Sequence, residues 1–259
     1  MADIYIGTSG YDYPEWKGVL YPHDLGREGF LAFYAEHFTA LEINYTYYGM
    51  PNEYQMDAIA RKSNGNLRFS VKAHKSLTHE VSISQWRKSA EEYRQALRPL
   101  VERNLLLSVL LQFPQSFHYE VDERRYLDAL VNTLSPLPLV VEFRHASWQT
   151  KRVFDSLRER GISWCVTDMP QLKHLPAPLS IQTAASAYIR LHGRNAESWY
   201  GTNSRDRYDY LYSDTQLSDL VPLVHRIAAS SRIVQIYFNN HAKGQAVVNA
   251  RKLKLLLNQ

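Results

Sequence analysis

Eight short apolar runs, separated by stretches with helical character, constrain the fold of this chain more than any other feature. The runs are rich in β-branched, aromatic or Leu residues, and most are continuous rather than alternating, as in strands buried on both faces. They predict strands at residues 3–7, 40–44, 67–73, 105–113, 139–143, 162–167, 187–192 and 232–238.

The segments between these runs predict helices. The clearest is 84–103, where Trp86, Tyr93 and Leu97 recur at near-helical spacing. Asp122 is expected to cap the helix at 122–134, and Gly161 to end the helix at 151–160. The predicted helices are 84–103, 122–134, 151–160, 213–229 and 245–257.

About eight alternations of strand and helix imply parallel strands with right-handed crossovers. Such units close into a barrel or form an open doubly wound sheet. The GTSG that follows the first strand lacks the spacing of a dinucleotide-binding fingerprint, which favours closure. With 259 residues, the sequence predicts one (β/α)8 TIM-barrel domain over residues 1–259.

The composition indicates the cellular compartment and the charge of the ligand. The one cysteine, Cys165, excludes an intramolecular disulfide and lies in the apolar run ISWCV, so a buried thiol is expected. The N-terminus shows no secretory signal and no run approaches a membrane span, so we expect a cytoplasmic protein without membrane contact. The net charge of +4 mildly favours anionic ligands, including nucleic acid.

Polar side chains gather where four of the predicted strands end. They come in pairs spaced i and i+2, so both members face the same side of the strand. We expect all eight to point into the C-terminal mouth of the barrel, where the active sites of this fold lie. The pairs are Glu42 and Asn44, Lys72 and His74, Glu142 and Arg144, and Arg190 and His192.

Other strand ends add Gln112, Asp168, Asn239 and Asn240. The predicted catalytic residues are Glu42, Lys72, Glu142, Asp168 and His192. The predicted substrate-binding residues are Asn44, His74, His79, Gln112, Arg144, Arg190, Asn239 and Asn240.

Several other interpretations stay open. The charged groups could form an ion-pair network that serves stability alone, with Glu42 and Lys72 paired across neighbouring strands. Glu42 and Glu142 could act as acid and base in glycoside hydrolysis. A metal site is weakly indicated, because no HExxH-type spacing occurs and the nearby Lys and Arg would repel a cation, so no metal ligands are predicted.

A long irregular segment at 192–212 follows the seventh strand. Loops of this length in compact domains are usually functional or disordered. Its aromatic and Arg content predicts an ordered segment that could serve as a lid over the mouth.

Seven blocks of sequence resemble the YecE-like family, known as domain of unknown function 72, over nearly the whole chain. They are GTSGYDYPEWKGVLYP (7–22), LEINYTYYGMP (41–51), FSVKAHKSLTH (69–79), LLQFPQSF (110–117), VVEFRHASW (140–148), YIRLHGR (188–194) and YFNNHAKGQAVVNA (237–250). The resemblance implies a TIM barrel without an established activity, and its third block adds His79 to the candidate site. One departure is Tyr11, where the family usually has tryptophan.

Three functions fit these observations. The first is an enzyme, such as a hydrolase, lyase or isomerase, acting on a small anionic or sugar- or phosphate-containing molecule. The second is a nucleic-acid-binding or nucleic-acid-processing protein, and the third is a non-catalytic binding barrel. The sequence names neither a cofactor nor an oligomeric state.

Overall fold

Eight parallel strands form a closed barrel, in which each strand pairs with the next and the last pairs with the first. The computed structural model describes residues 2–201 and 204–259, and the side chains of all of these except 204 and 205. The strands are β1 Asp3–Ser9, β2 Ala40–Ile43, β3 Arg68–Lys72, β4 Leu106–Gln112, β5 Leu139–Glu142, β6 Ser163–Asp168, β7 Ser186–Leu191 and β8 Ile233–Phe238. Each predicted strand overlaps an observed one, and the predicted (β/α)8 TIM barrel is confirmed.

Helices fill the connections between the strands. They are α1 Phe30–His37, α2 Glu53–Lys62, α3 Trp86–Ala96, α4 Arg98–Glu102, α5 Val121–Leu134, α6 Lys151–Glu159, α7 Ser204–Arg207, α8 Asp214–Ala229 and α9 Gln245–Leu256. Three of them, α1, α2 and α7, were not predicted. Asn52 and Gln55 form a capping box at the start of α2, which is the sequence signal that could have located it.

Two predicted helical features are wrong. The segment 84–103 is two helices, α3 and α4, because Pro99 lies in the first turn of α4 and has no N–H with which to continue α3. Asp122 does not cap α5. The helix begins one residue earlier, with Glu120 at the N-cap position, and Asp122 lies in the first turn, where a negative charge still favours the helix dipole.

The strands separate two cores. Between strands and helices lies a large apolar layer that includes Val71, Leu111 and Val141. Inside the barrel lies a small cluster of Ala40, Leu110, Val140, Cys165, Tyr188 and Tyr237. Cys165 is buried, as predicted, and burial holds the pKa of its thiol well above the usual value. It is therefore a packing residue and not a reactive thiol.

A chain of hydrogen bonds runs through the barrel interior beside this cluster. The Ser70 and Tyr188 hydroxyls are 2.7 Å apart, and Ser108 Oγ lies 3.1 Å from Ser70 Oγ. Ser108 Oγ also lies 2.8 Å from Gln235 Oε1, and Gln235 Nε2 donates to Ser186 Oγ at 2.9 Å. A continuous series of polar side chains thus crosses the barrel interior from Ser186 to Tyr188.

The segment after β7 is anchored to the barrel. It begins at Gly193, whose φ of +88° suits glycine, and a Cβ there would lie 2.6 Å from Tyr210 Cβ. At its other end, Asn249 of α9 bonds both the backbone N–H and the C=O of Tyr212. The predicted ordered segment agrees with these contacts, although Thr202 and Asn203 lie outside the described residues. In the described part of the chain, no helix has the length and hydrophobicity to cross a membrane.

Candidate functional site

Arg190 joins the two buried carboxylates at the top of the barrel interior. Its Nη2 donates to Glu42 Oε1 at 2.8 Å, and its Nη1 donates to Glu142 Oε2 at 2.7 Å. Glu42 also accepts a bond from the Tyr188 hydroxyl at 2.6 Å, which connects it to the interior chain. All these side chains are excluded from solvent. Both carboxylates are therefore occupied, and they are poorly placed to act as a free acid and base.

The register explains why Glu42 pairs with Arg190 and not with Lys72. In the β2–β3 ladder, Glu42 lies beside Ser70, so Lys72 projects one step higher in the barrel. The interior Glu42 therefore meets Arg190 from the other side of the barrel, and the possible Glu42–Lys72 pair does not form. Lys72 is left at the top of the network instead of within it.

Glu142 is the centre of the network. Besides Arg190, it accepts a bond from Arg144 Nε and lies 3.2 Å from His192 Nε2. Burial alone would raise the pKa of Glu142, but Arg144, Arg190 and His192 outweigh burial and hold that pKa well below its usual value. The carboxylate is therefore ionised at neutral pH, and it fixes the orientation of Arg144.

His192 is neutral, and its ring connects Asn239 to the Glu142–Arg144 pair. Burial, together with the nearby Arg144, lowers the pKa of His192 to about 3. Nδ1 lies 3.0 Å from Asn239 Nδ2, an N–H donor, and Nε2 lies against the Glu142 carboxylate. Nε2 also lies 3.3 Å from Arg144 Nη2, so this nitrogen contacts both members of the Glu142–Arg144 pair. Both His192 and Asn239 support the Glu142–Arg144 pair.

Lys72 differs from every other charged group of the network. Its ammonium lies 4.3 Å from the centre of the Tyr47 ring and has neither a hydrogen bond nor an ion pair with any described residue. Burial and Arg190 lower the pKa of Lys72 to about 7, against the opposing effect of the two carboxylates. This lowered pKa favours the neutral amine near physiological pH more than in an exposed lysine.

A cavity of about 440 Å³ lies above this network, at the C-terminal mouth of the barrel. Its size is within the usual range for small-molecule sites. It is lined by Tyr47, Tyr48, Lys72, His79, Gln112, Pro114, Gln115, Arg144, Leu175, Trp199, Tyr200, Arg207, Tyr208 and His241. Glu42 and Glu142 do not line it, so the described charged side chains that reach this cavity are cationic.

The family model for the DUF72 family, described as a protein of unknown function, matches residues 5–259. The chain belongs to the DUF72 family. The resemblance seen in the sequence is therefore confirmed over nearly the whole chain.

Two relatives of this chain have names that state no activity. UPF0759 protein YunF of Bacillus subtilis (strain 168) is 26% identical over 98% of this chain and 94% of its own length. UPF0759 protein YecE of Escherichia coli (strain K12) is 27% identical over 61% of this chain and 55% of its own length.

Solved DUF72 structures share the barrel. A family protein from Thermotoga maritima MSB8 is 36% identical, with a TM-score of 0.91 over 99% of this chain and all of that one. A second, from Enterococcus faecalis V583, is 23% identical, with a TM-score of 0.87 over 99% of this chain and 96% of that one. The second likeness shows the fold alone.

Several predicted site residues of this DUF72 chain lie in or beside the cavity. His79 lines it, with its Nδ1 2.8 Å from Thr78 Oγ1, and burial with Lys72 and Arg144 lowers its pKa to about 4. Gln112 also lines it and donates to the Phe113 carbonyl at 2.9 Å. Asn44 comes two residues after Glu42 and is not among the residues that line the cavity. Its Oδ1 is buried without a hydrogen-bond partner among the described residues.

Three predicted site residues lie elsewhere, and two of them hold the segment after β7. Thr167 faces the barrel interior, so its neighbour Asp168 faces outward, where it binds Arg194 and accepts from the Tyr212 hydroxyl. Asn240 Nδ2 lies 2.8 Å from the Tyr210 carbonyl oxygen and 2.9 Å from Asn249 Oδ1.

His74 also departs from the expected position. The prediction that its side chain points into the mouth is wrong, because Nδ1 turns back to cap a short 3-10 helix at the Ser76 N–H. The i, i+2 rule fails there because β3 ends at Lys72, so the backbone of His74 no longer follows the strand.

Arg207 and Tyr208 line the cavity but were not singled out in the sequence. Burial alone would raise the pKa of Tyr208, but Arg144, Arg190 and Arg207 outweigh it, so the phenol has a lowered pKa. Arg207 lies over Trp199 at 5.5 Å, and its Nε is buried without a hydrogen-bond partner in the described regions. The only sequence signal was their position in the Arg- and Tyr-rich segment, which has no periodicity to show which residues face inward.

Proposed function

We propose that the protein is an enzyme that acts on a small anionic, sugar- or phosphate-containing molecule in the mouth cavity. One observation carries the proposal: Lys72, Arg144 and Arg207 line the cavity, while Glu42 and Glu142 are turned into the network below it. An anion is the ligand that this unequal distribution of charge favours. An open cavity of this size suits a molecule such as a sugar phosphate.

The side chains fall into different roles in this proposal. Arg144 and Arg207 would bind the anionic group, since guanidinium groups match phosphate and carboxylate geometry. Lys72 and Tyr208 would move protons, because their pKa values are shifted towards neutrality. Glu42, Glu142, Arg190, His192 and Asn239 would be positioning residues, and Asp168 would hold the covering segment.

Titration with inorganic phosphate and with a panel of sugar phosphates, followed by calorimetry, tests this proposal. Arg207→Gln should weaken binding by about tenfold or more, the cost of one charge-assisted hydrogen bond of about 1.5–3 kcal/mol. Arg125→Gln is the matched control, because Arg125 is an exposed residue of α5 that does not line the cavity. No binding of any of these anions, or equal loss in both variants, would overturn the proposal.

A second candidate, nucleic-acid binding, is favoured by exposed aromatic rings at the rim. Tyr48 is 77% exposed and Tyr200 is 55% exposed, and both line the cavity. Such rings can stack on unpaired bases. Fluorescence anisotropy with a single-stranded oligonucleotide should then show affinity that falls steeply with salt and is weakened by Tyr48→Ala. Affinity that does not respond to salt contradicts this candidate.

A further inference from the structure

The amine of Lys72 is free for covalent chemistry, unlike that of its neighbour on the rim. Lys75 lies three residues further along the chain and forms an ion pair with Glu80 at 2.8 Å. Lys72 has no such partner among residues 2–201 and 204–259. The carboxylates that could have neutralised it, Glu42 and Glu142, are both engaged by Arg190.

The charges that face Lys72 disfavour its protonated form. Burial, Arg190 of β7 and Arg144 after β5 all lower the pKa of Lys72. Glu142 of β5 and Glu42 of β2 act in the opposite direction, but their effect is smaller, so the pKa is lowered overall. His79, on the segment after β3, is neutral at physiological pH, and Tyr47, after β2, offers only its ring. A desolvated lysine beside cations is the usual environment of an amine nucleophile.

We infer that Lys72 forms an imine with an aldehyde or ketone group of the substrate in the mouth cavity. The inference deepens the proposed function and rests on it, since it names the reactive group of the same anionic molecule. It rests on the unpaired amine, its place on the cavity wall and the cationic side chains around it.

The reaction balances without an added cofactor. The lone pair of the neutral Lys72 Nζ attacks the carbonyl carbon, a C–N bond forms, and the carbonyl electron pair moves to oxygen. That oxygen takes a proton while nitrogen loses one, which gives a carbinolamine. The nitrogen lone pair then expels the protonated hydroxyl as water and leaves the iminium ion. Tyr208, a phenol on the same cavity wall, is the proton donor that the geometry offers.

Reductive trapping on the intact chain tests the inference. Glycolaldehyde phosphate and uncharged glycolaldehyde are each added at pH 7 with cyanoborohydride, which reduces an imine to a stable secondary amine. Peptide mass mapping then locates the adduct. We expect initial labelling of Lys72 to be at least about tenfold faster than that of Lys75, because Lys72 has a lowered pKa and no ion-pair partner among the described residues, whereas Lys75 is paired with Glu80.

Two variants separate charge from covalent chemistry. Lys72→Arg keeps a cation on the cavity wall but removes the primary amine, so it should lose the selective adduct. Lys75→Met should be labelled at Lys72 like the unchanged protein.

The outcomes distinguish this inference from the proposed function. Selective labelling of Lys72 together with phosphate binding that depends on Arg207 supports both. Phosphate binding that depends on Arg207, with labels spread evenly over the lysines, overturns the imine and leaves the proposed function standing. Selective labelling by uncharged glycolaldehyde without any phosphate binding supports the imine and overturns the anionic substrate.

Discussion

The two faces of the barrel strands carry opposite kinds of side chain. Facing the helices, Val71, Leu111 and Val141 pack in a continuous apolar layer. Facing the barrel axis, their sequence neighbours Lys72, Gln112 and Glu142 belong to the site, and below them lie Ser70, Ser108 and Gln235. Barrel interiors are more often filled with bulky branched residues, so this polar interior is a departure for the fold.

The two faces therefore contribute differently: the outer face to stability and the inner face to the positions of the site residues. Apolar packing on the outer face stabilises the barrel in proportion to the area it buries. The inner face adds little to the free energy of unfolding through burial, because the cost of removing each charge from water offsets its attraction to a partner. Its value lies in rigidity: Arg190, Glu42 and Glu142 hold one another in place and present Arg144 and Lys72 to the cavity.

The largest expected effect comes from breaking the inner network at its centre. Glu142→Ala leaves Arg144 and Arg190 buried without their shared carboxylate, and we expect it to lower the free energy of unfolding by about 3–5 kcal/mol. Urea denaturation measures this loss. Glu159→Ala, at an exposed position at the end of α6, is the control and should change little. A loss under about 1 kcal/mol for Glu142→Ala would mean that the network does not stabilise the barrel.

A cavity in the outer layer should cost somewhat less. Leu111 is fully buried between β4 and the helices, so Leu111→Ala should lower the free energy of unfolding by about 2–5 kcal/mol. Unlike Glu142→Ala, it should leave phosphate binding intact. Leu255→Ala, at a position 74% exposed, provides the comparison. If Leu111→Ala abolishes phosphate binding while the protein stays folded, the two faces do not act separately.

The inner face should also make stability depend on pH. The pKa of His192 is about 3 in the folded protein and near 6.5 when unfolded, so the unfolded chain binds an extra proton between these values. Stability therefore falls as pH drops from about 6.5 towards 4, by up to about 1.4 kcal/mol per pH unit for this proton. His192→Asn should make that slope shallower in urea titrations at several pH values. A slope that is the same in His192→Asn and the unchanged protein would show that this histidine does not make stability depend on pH.

The smallest effect is expected in the neutral part of the interior. Ser108→Ala removes the hydroxyl between Ser70 and Gln235, and the free energy of unfolding should fall by about 1–2 kcal/mol. Ser156→Ala, at an exposed position of α6, should have almost no effect on the unfolding midpoint. Equal midpoints for the two variants would show that water or relaxed neighbours replace the lost hydrogen bonds.

The sequence by itself determined the barrel. Eight apolar runs separated by helical segments leave few ways to bury both faces of each strand, so strand number and closure followed from hydrophobic patterning. The period of two also identified Glu42, Lys72, Glu142, Arg144, Arg190 and His192 as inward-facing residues, because alternation along a strand is a local property of the backbone.

Only the tertiary structure decided the partners. The register of β2 and β3 places Glu42 beside Ser70. The Glu42 carboxylate therefore pairs with Arg190 across the barrel and does not pair with Lys72. The path of the segment after β7 brought Arg207 and Tyr208 over the mouth, although nothing in their spacing marks them. Which strand lies opposite which, and where an irregular segment folds back, depend on contacts between residues far apart in the chain. Local propensity does not encode those contacts, which is why the position of the site could be predicted and its arrangement could not.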